Sequence, residues 1–286
     1  MRIGITGEGG FIGKAVSDRL TKCGHSLVPL GDWTYEWGDE CSEKIASEAP
    51  SDLDWVLHLG ARTSIAAAWK NPYHAYAGNL GATLAALEIA RISEAALVFM
   101  SSYVYGTPQY LPLDEDHPTS ALNPYMGSKL LGEELCRQWH QLQGRPLVIL
   151  RGFNIYGDSR HPDRLIPCLI DQVRREYLLS IEDPEPKRDY LYIKDFAELA
   201  QKIIEASPVP SGTYNVGSGE VLANREVAEL VRALSKEKRP VKCAERARPN
   251  DVMDCTVDTA KVRMAFGWEP QYTLKSGLAD ILGISD

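Results

Sequence analysis

The stretch ITGEGGFIGKAVSDRL, residues 5–20, decides the fold because a run of glycines separates an apolar strand pattern from a helical pattern. Gly7, Gly10 and Gly13 have GxxGxxG spacing. Glycines at these positions let the backbone turn sharply and approach a pyrophosphate, and the amino end of the following helix attracts the phosphate charge. A glycine triplet alone is a weak signal, but its place between a strand and a helix predicts a dinucleotide-binding turn.

The chain beyond this turn alternates short apolar runs with segments long enough for crossover helices. Such alternation is typical of a parallel sheet with helices on both faces. We therefore predict an α/β fold with a Rossmann-type doubly wound parallel sheet. The predicted strands are RIGIT (2–6), SLVPL (26–30), DWVLHL (54–59), ALVFMSS (96–102) and LVILR (147–151).

After Arg151 the alternation loosens and prolines become frequent, which predicts a domain boundary. We expect residues 1–151 to form an NAD(P)-binding Rossmann domain and residues 152–286 to form a smaller α/β lobe that binds the substrate. The stretch DYLYIKDFAELAQKIIEA, residues 189–206, again has a strand and a helix pattern and is expected to return to the first domain.

The 286 residues carry a formal net charge of −8, and 44% of them are apolar, as in an ordinary globular protein. No run of Lys or Arg predicts attraction to nucleic acid or to anionic lipid. The amino terminus enters a strand pattern at once and no segment is long enough to span a bilayer, so we expect a cytoplasmic protein. The six cysteines and six histidines lack CxxC and HxxxH spacing and predict no metal site.

The segment NPYMGSK, residues 123–129, predicts a helix start with a tyrosine and a lysine on one face. Asn123 suits the N-cap and Pro124 the first helical position, so Tyr125 and Lys129 lie one turn apart. A cation close to a phenol favours the ionised form, which would let Tyr125 exchange a proton with a substrate hydroxyl. The alternative is an exposed tyrosine that packs over a lysine stem.

The segment FMSSYVYG, residues 99–106, ends a predicted strand at the carboxyl edge of the sheet, where ligands bind in such folds. We predict a catalytic set of Ser101, Tyr125 and Lys129. Ser101 would hydrogen-bond a substrate oxygen, Tyr125 would give or take its proton, and Lys129 would hold the cofactor ribose while lowering the pKa of the tyrosine.

The end of the second predicted strand leaves the cofactor open. Gly31 occupies the position where an Asp commonly binds the adenosine ribose, and Asp32 follows it. No arginine flanks the strand to receive a ribose phosphate, and Glu8 and Asp32 would repel one, so NAD is favoured over NADP. Asp39 is a candidate partner of the adenine, and a solvated loop acid is the equal alternative.

Nine short motifs together resemble one known family. They are TGEGGFIG, HLGA, NLGAT, SSYVYG, NPYMGSK, RGFNIYG, KRDYLYIKD, YNVGSG and RPND, in this order over nearly the whole chain. No motif is decisive alone, but the ordered set resembles the extended short-chain dehydrogenases/reductases of the nucleotide-sugar NAD-dependent epimerase/dehydratase family. The resemblance implies bound NAD, a nucleotide-diphosphate sugar as substrate, and a homodimer formed by the helices around ATLAALEIARI and KLLGEELCRQW.

The resemblance also assigns roles to individual residues. Asn154 matches a residue near the substrate phosphates and Arg188 an arginine that holds the diphosphate, while Arg160 and Arg164 are weaker candidates. The cofactor-binding set comprises Gly7, Gly10, Phe11, Ile12, Gly13, Asp32, Asp39, Leu59, Gly60, Ala61, Tyr125 and Lys129. The substrate-binding set comprises Ser102, Tyr103, Asn154, Arg188, Arg248 and Asp251.

Ser101 is chosen over Ser102 because it lies four residues before the tyrosine of VYG, as in the family. Family members that eliminate water from the sugar typically carry two acidic residues after that first hydroxyl. Here Ser102 and Tyr103 follow it, so the resemblance disfavours dehydration.

Three functions remain. The leading hypothesis is a nucleotide-sugar epimerase that acts at C4 through transient oxidation by bound NAD. The alternative is an NAD(P)H-dependent 4-keto-6-deoxy-sugar nucleotide reductase with the same three catalytic residues. A non-catalytic cofactor-sensing protein of the same fold is disfavoured because it would not need the Ser, Tyr and Lys set. The base and the sugar of the substrate do not follow from the sequence.

Overall fold

The computed structural model describes residues 1–31, 39–159, 164–244, 246 and 252–284, with residues 39–42 described by their backbone alone. The strands of this part of the chain are β1 (Arg2–Thr6), β2 (Ser26–Pro29), β3 (Trp55–His58), β4 (Ala96–Met100), β5 (Leu147–Gly152), β6 (Asn154–Tyr156), β7 (Ser180–Ile181), β8 (Lys187–Tyr192), β9 (Gly212–Val216), β10 (Val221–Ala223) and β11 (Lys242–Cys243). The helices are α1 (Phe11–Lys22), α2 (Asp39–Glu48), α3 (Ile65–Lys70), α4 (Pro72–Ile92), α5 (Pro124–Gln143), α6 (Leu165–Arg174), α7 (Ile193–Glu205), α8 (Asn224–Leu234), α9 (Ala260–Phe266) and α10 (Leu274–Leu282).

The central sheet has the strand order β2-β1-β3-β4-β5-β9, and all of its neighbouring strands run parallel. The chain leaves β1 toward β2 on one side and comes back to β3 on the other, so the order reverses between β1 and β3. Ligands bind at such a reversal, outside the carboxyl ends of the strands. The doubly wound parallel sheet predicted from the sequence is confirmed, and the five predicted strands correspond to β1–β5.

Apolar side chains cover both faces of this sheet, which explains why its inner strands are apolar throughout rather than alternating. Val98 and Met100 of β4 pack on one face with α1, α7 and α9, while Leu97 and Phe99 pack on the other with α4 and α5. Successive β4 side chains therefore point to opposite faces, as the geometry of a strand requires.

The smaller lobe combines a three-stranded sheet, β10-β8-β6, with the pair β11-β7. Its core lies between these strands and helices α6, α8 and α10. The predicted return over 189–206 divides after Tyr192, because β8 belongs to the lobe sheet while α7 packs against α1 on the central sheet. Strand β9 then extends the central sheet beside β5, so the second half of the chain supplies both lobes.

The glycine turn is shaped by close backbone contacts. Gly7 has φ +71°, and a Cβ there would lie 2.6 Å from the Cα of Gly60. A Cβ on Gly13 would lie 1.9 Å from the carbonyl oxygen of Gly7. Helix α1 therefore begins against the end of β1, and no larger residue fits at these positions without a backbone shift.

None of the helices in the described ranges has both the length and the apolar composition required to cross a bilayer.

Replacement of Gly13 by Ala is expected to lower the free energy of unfolding by about 1–3 kcal/mol, because the new methyl group overlaps the Gly7 carbonyl. Denaturant unfolding measures the change. The matched control is Gly9→Ala in the same turn, where a Cβ meets no atom within 4 Å. Equal stability of the two variants would contradict the close packing described here.

Candidate active site

Helix α5 places the predicted tyrosine at the carboxyl edge of the sheet. The Asn123 side chain accepts a hydrogen bond from the Met126 N–H (2.9 Å) and caps the helix, as the sequence predicted. Tyr125 follows in the first turn and is 8% exposed, packed against Ala68 and Ala75. The alternative of a solvent-exposed tyrosine is therefore wrong.

Lys129 lies one turn below, and its ammonium is buried. Its Nζ donates to the Met100 carbonyl (2.7 Å) and lies 4.9 Å from the centre of the Phe99 ring. Burial lowers the pKa of Lys129 to about 8. This contact holds the lysine at the carboxyl end of β4.

The phenol of Tyr125 responds chiefly to its burial. Burial raises its pKa, while a hydrogen bond with Ser102 and the positive charge of Arg164 act in the opposite direction. The sequence predicted that the positive charge of Lys129 lowers the pKa of Tyr125. In this structure the groups that favour the phenolate are Ser102 and Arg164. Arg164 was predicted only as a weaker candidate for substrate binding.

The two serines after β4 point in different directions. Ser101 is 2% exposed and donates its hydroxyl to the Glu133 carboxylate (2.6 Å), on the side of the sheet where Phe99 lies. Ser102 is half-buried and lies next to the Tyr125 phenol, where it favours the ionised form. The choice of Ser101 by counting back from VYG stays a prediction, and the geometry favours Ser102. Strand alternation is the sequence signal that distinguishes the two.

The glycine turn suits a dinucleotide. Gly10 caps α1 without any side-chain hydrogen bond, which leaves the N–H groups of the first turn for a phosphate. Gly60 lies directly behind Gly7 and donates its N–H to the Thr6 hydroxyl (3.1 Å). The residues present thus fit the pyrophosphate that the sequence predicted here, with Leu59 and Ala61 flanking Gly60.

Phe11 joins this turn to the smaller lobe. A Cβ on Gly157 would lie 2.9 Å from the Phe11 ring and 2.7 Å from Ile193, and Ile12 is packed beside the same cluster. The predicted contacts of Phe11 and Ile12 with the cofactor stay predictions.

Buried polar side chains that the sequence analysis did not single out link the turn to the catalytic helix. His58 contacts the Thr6 hydroxyl through Nδ1 (2.8 Å) and Thr83 through Nε2 (3.3 Å). Burial lowers the pKa of His58 to about 3, so the ring is neutral at neutral pH. Asn79, one turn before Thr83, donates to Ser128 (2.8 Å), which donates to the Tyr125 carbonyl (2.7 Å).

The predicted substrate residues Asn154 and Arg188 of the smaller lobe lie on its strands β6 and β8. Arg188 donates to the Val252 carbonyl (2.5 Å), and Asn154 donates to the Asp189 carbonyl (3.0 Å). Tyr103 donates to the Gly106 carbonyl (2.5 Å), and the Arg188 charge acts on its phenol. Tyr103, Asn154 and Arg188 are therefore grouped around the junction of the lobes.

Asp189 is a buried carboxylate that sequence reasoning passed over. It accepts hydrogen bonds from the N–H groups of Ser218 (2.6 Å) and Gly219 (2.7 Å), and burial raises its pKa to about 6. It ties β8 to the loop after β9. Four predicted positions lie outside the described residues, as does the side chain of Asp39. They are Asp32, Arg160, Arg248 and Asp251.

The profile of the NAD dependent epimerase/dehydratase family matches residues 3–217, which is most of the chain. The chain belongs to this family. The match includes the glycine turn, both serines, Tyr125 and Lys129. The family is NAD-dependent and acts on sugar nucleotides, so the resemblance inferred from the motifs is confirmed.

Individual relatives are similar over almost their whole length. A putative UDP-glucose 4-epimerase of Methanocaldococcus jannaschii is 28% identical, over 97% of this chain and 96% of its own. Among solved structures, RMD of Pseudomonas aeruginosa complexed with NADPH has a TM-score of 0.87 at 26% identity, covering 99% of this chain and 97% of its own. The UDP-glucose 4-epimerase of Thermus thermophilus in complex with NAD has a TM-score of 0.84 at 25% identity, covering 99% and 98%.

Proposed function

We propose that the protein is a nucleotide-sugar 4-epimerase. The observation that carries this proposal is the buried Tyr125 phenol, which lies next to Ser102 at the carboxyl edge of the sheet that also carries the glycine turn. Full-length similarity to 4-epimerases from two organisms supports the reaction class. The retained tyrosine, lysine and serine favour an enzyme over a cofactor sensor.

Each residue of the site has a defined task in this reaction. NAD, held by the glycine turn and Lys129, would supply a reversible hydride acceptor for sugar C4. Tyr125 removes the proton from the C4 hydroxyl and later gives it back, and Ser102 hydrogen-bonds the same oxygen. Lys129 would hold the nicotinamide ribose, and the positive charge that favours the Tyr125 phenolate comes from Arg164.

The substrate class follows from local cations on an acidic protein. With a net charge of −8, an anionic substrate needs arginines at the site itself. Arg188 at the lobe junction offers the directed donors that a diphosphate requires. We therefore propose a nucleotide-diphosphate sugar, in which the diphosphate binds Arg188 and the sugar reaches Tyr125.

Dehydration stays disfavoured whichever serine acts. The residues after Ser101 are Ser102 and Tyr103, and those after Ser102 are Tyr103 and Val104. Neither pair supplies the carboxylic acid and carboxylate that removal of water from the sugar would use.

A 4-keto-sugar reductase is the second candidate. The observation that favours it is the similarity, at a TM-score of 0.87, to a protein solved with NADPH. Gly31, in place of an aspartate that would bind the adenosine ribose, points the same way. A reductase would use the same Ser, Tyr and Lys set but would exchange its cofactor in every turnover.

The cofactor of the purified protein separates these two functions. An epimerase is expected to retain one dinucleotide per chain through purification and to interconvert two sugar nucleotides without added cofactor. Mass spectrometry of the released nucleotide and product analysis across UDP, GDP, CDP and dTDP sugars measure this. Stoichiometric consumption of added NAD(P)H with a 4-keto sugar would reject epimerisation.

Replacement of Tyr125 by Phe is expected to lower turnover by about 10²–10⁴-fold, because it removes the proton-transferring hydroxyl. Cofactor binding, followed by fluorescence of the reduced dinucleotide, should change little because the ring packing is kept. Turnover at the wild-type rate would contradict the assignment of Tyr125.

Paired alanine variants distinguish the two serines. Ser102→Ala is expected to lower turnover by roughly 10²-fold through loss of the hydrogen bond to the substrate oxygen. Ser101→Ala, which leaves that bond in place, should cost roughly tenfold through misalignment alone. Steady-state kinetics of the two proteins provides the measurement, and a larger loss in Ser101→Ala would restore the choice made by counting from VYG.

We also propose a homodimer that uses the outer faces of α4 and α5. Tyr73 and Leu84 of α4 are 82% and 40% exposed, and Leu131 and Leu142 of α5 are 50% and 82% exposed. In each pair the residues lie eleven positions apart, which places them on one side of their helix. Each helix therefore presents two exposed apolar side chains on one side, and we propose that a second copy covers them.

Replacement of Leu84 and Leu131 by Glu is expected to convert the dimer into a monomer, because the interface would bury unpaired carboxylates. Light scattering coupled to gel filtration measures the mass. Met264→Glu on α9, where Met264 is 79% exposed, is the control and should remain dimeric. A monomeric wild-type protein would reject this interface.

A further inference from the structure

A buried carboxylate lies one helical turn beyond Lys129 and has no part in the proposed reaction. The side chain of Glu133 is fully buried and accepts hydrogen bonds from three directions. Ser101 Oγ donates to its Oε1 (2.6 Å), and Arg137 Nη2 donates to its Oε2 (2.5 Å). Arg151 binds both oxygens, with Nε to Oε1 at 3.0 Å and Nη2 to Oε2 at 2.8 Å.

These contacts join three elements near the carboxyl end of β4. Glu133 belongs to α5, Arg151 to β5, and Ser101 to the end of β4. The Ser101 N–H also donates to the Leu150 carbonyl (2.8 Å), so Ser101 is held by both its backbone and its side chain. Ser102 is the next residue. Its position therefore depends on the hydrogen bond between Ser101 and Glu133.

The same carboxylate sets the charge around Lys129. The titratable groups that act on the ammonium are Cys136 and Glu133 on α5, and the ammonium in turn acts on His58 of β3. His58 is neutral, and burial raises the pKa of the Cys136 thiol, so that thiol is also neutral at neutral pH.

Glu133 is the anion of this group. Burial by itself would raise its pKa, but the hydrogen bonds and charge of Arg151, the Ser101 hydroxyl and the charge of Arg137 together lower it. Glu133 therefore stays ionised, and its negative charge favours the protonated form of Lys129 in a poorly solvated site.

We propose that Glu133 is a positioning residue with two effects: it fixes Ser101 and through it Ser102, and it supplies the negative charge that keeps Lys129 protonated at neutral pH. The proposal rests on the proposed roles of Ser102, Tyr125 and Lys129. A purely structural ion pair would instead affect stability alone, since buried pairs often add little beyond filling their own site.

The charge effect is tested by the titration of Lys129 itself, without substrate. Protein labelled with ¹³C at the lysine ε-carbons is titrated by NMR, and the resonance of Lys129 is assigned by its loss in Lys129→Arg. In Glu133→Gln the pKa of Lys129 should fall further below about 8, because the negative charge that favours the ammonium is removed. In Arg137→Gln it should rise, because Glu133 keeps its charge and loses one of the two cations paired with it.

Glu134→Gln is the matched control. Glu134 is the neighbouring residue on α5 and also faces Arg137 (3.7 Å), but its side chain is 58% exposed. Water screens such a charge, so the titration of Lys129 should not move.

The positional effect is tested by kinetics. Ser101→Ala keeps every charge and is expected to lower kcat roughly tenfold with little change in KM, and to leave the Lys129 titration at its wild-type position. Glu133→Gln should lower kcat as well. Activity that needs the ammonium is lost as pH rises through the pKa of Lys129, so the alkaline loss of kcat/KM should begin at lower pH in Glu133→Gln.

The outcomes separate this proposal from the proposed function. Identical Lys129 titrations in wild type, Glu133→Gln and Arg137→Gln would overturn the charge effect, and wild-type kcat in Ser101→Ala would overturn the positional effect. If Glu133→Gln does not fold, Arg137→Gln and Ser101→Ala still decide both. A wild-type protein without sugar-nucleotide turnover would reject the proposed function, while the titrations would still decide the role of Glu133.

Discussion

The close approach of β1, β3 and α1 is the constraint on which the rest of the structure depends. Gly7 lies against the backbone of Gly60, and Gly13 lies against the carbonyl of Gly7, at distances that exclude a Cβ. This contact brings the amino end of α1 to the point where the strand order reverses. The glycine turn and the start of α5 both lie at the carboxyl edge of the sheet, where ligands bind in such folds.

Desolvation dominates the electrostatics at this edge of the sheet. The ionisable groups there are buried, and burial is the largest influence on the pKa values of His58, Tyr125 and Lys129. A nearby charge therefore acts strongly on each of them. Only a few neighbouring groups set the pKa values of these residues. Some of them, such as Arg164 for Tyr125, lie far away in the sequence.

Much of the fold and part of the site were predictable from local patterns. Glycine spacing, apolar runs and the Asn-Pro helix start gave the parallel sheet, the turn and the one-turn relation of Tyr125 to Lys129. What local patterns do not contain is contact between distant segments. The hydrogen bonds that join Ser101, Glu133 and Arg151 are such contacts. The pairing of β9 with β5 is another, and it adds the last strand of the central sheet from the second half of the chain.

Crossing of the chain between the two lobes has an evolutionary consequence. Strand β9 is part of the central sheet and helix α7 packs on it. In sequence, both lie between strands of the smaller lobe. A recombination event that exchanged the carboxyl half for that of a homologue would also replace an edge strand and a covering helix of the Rossmann core. Exchange of the carboxyl half as a whole module would therefore disrupt the central sheet as well as the smaller lobe.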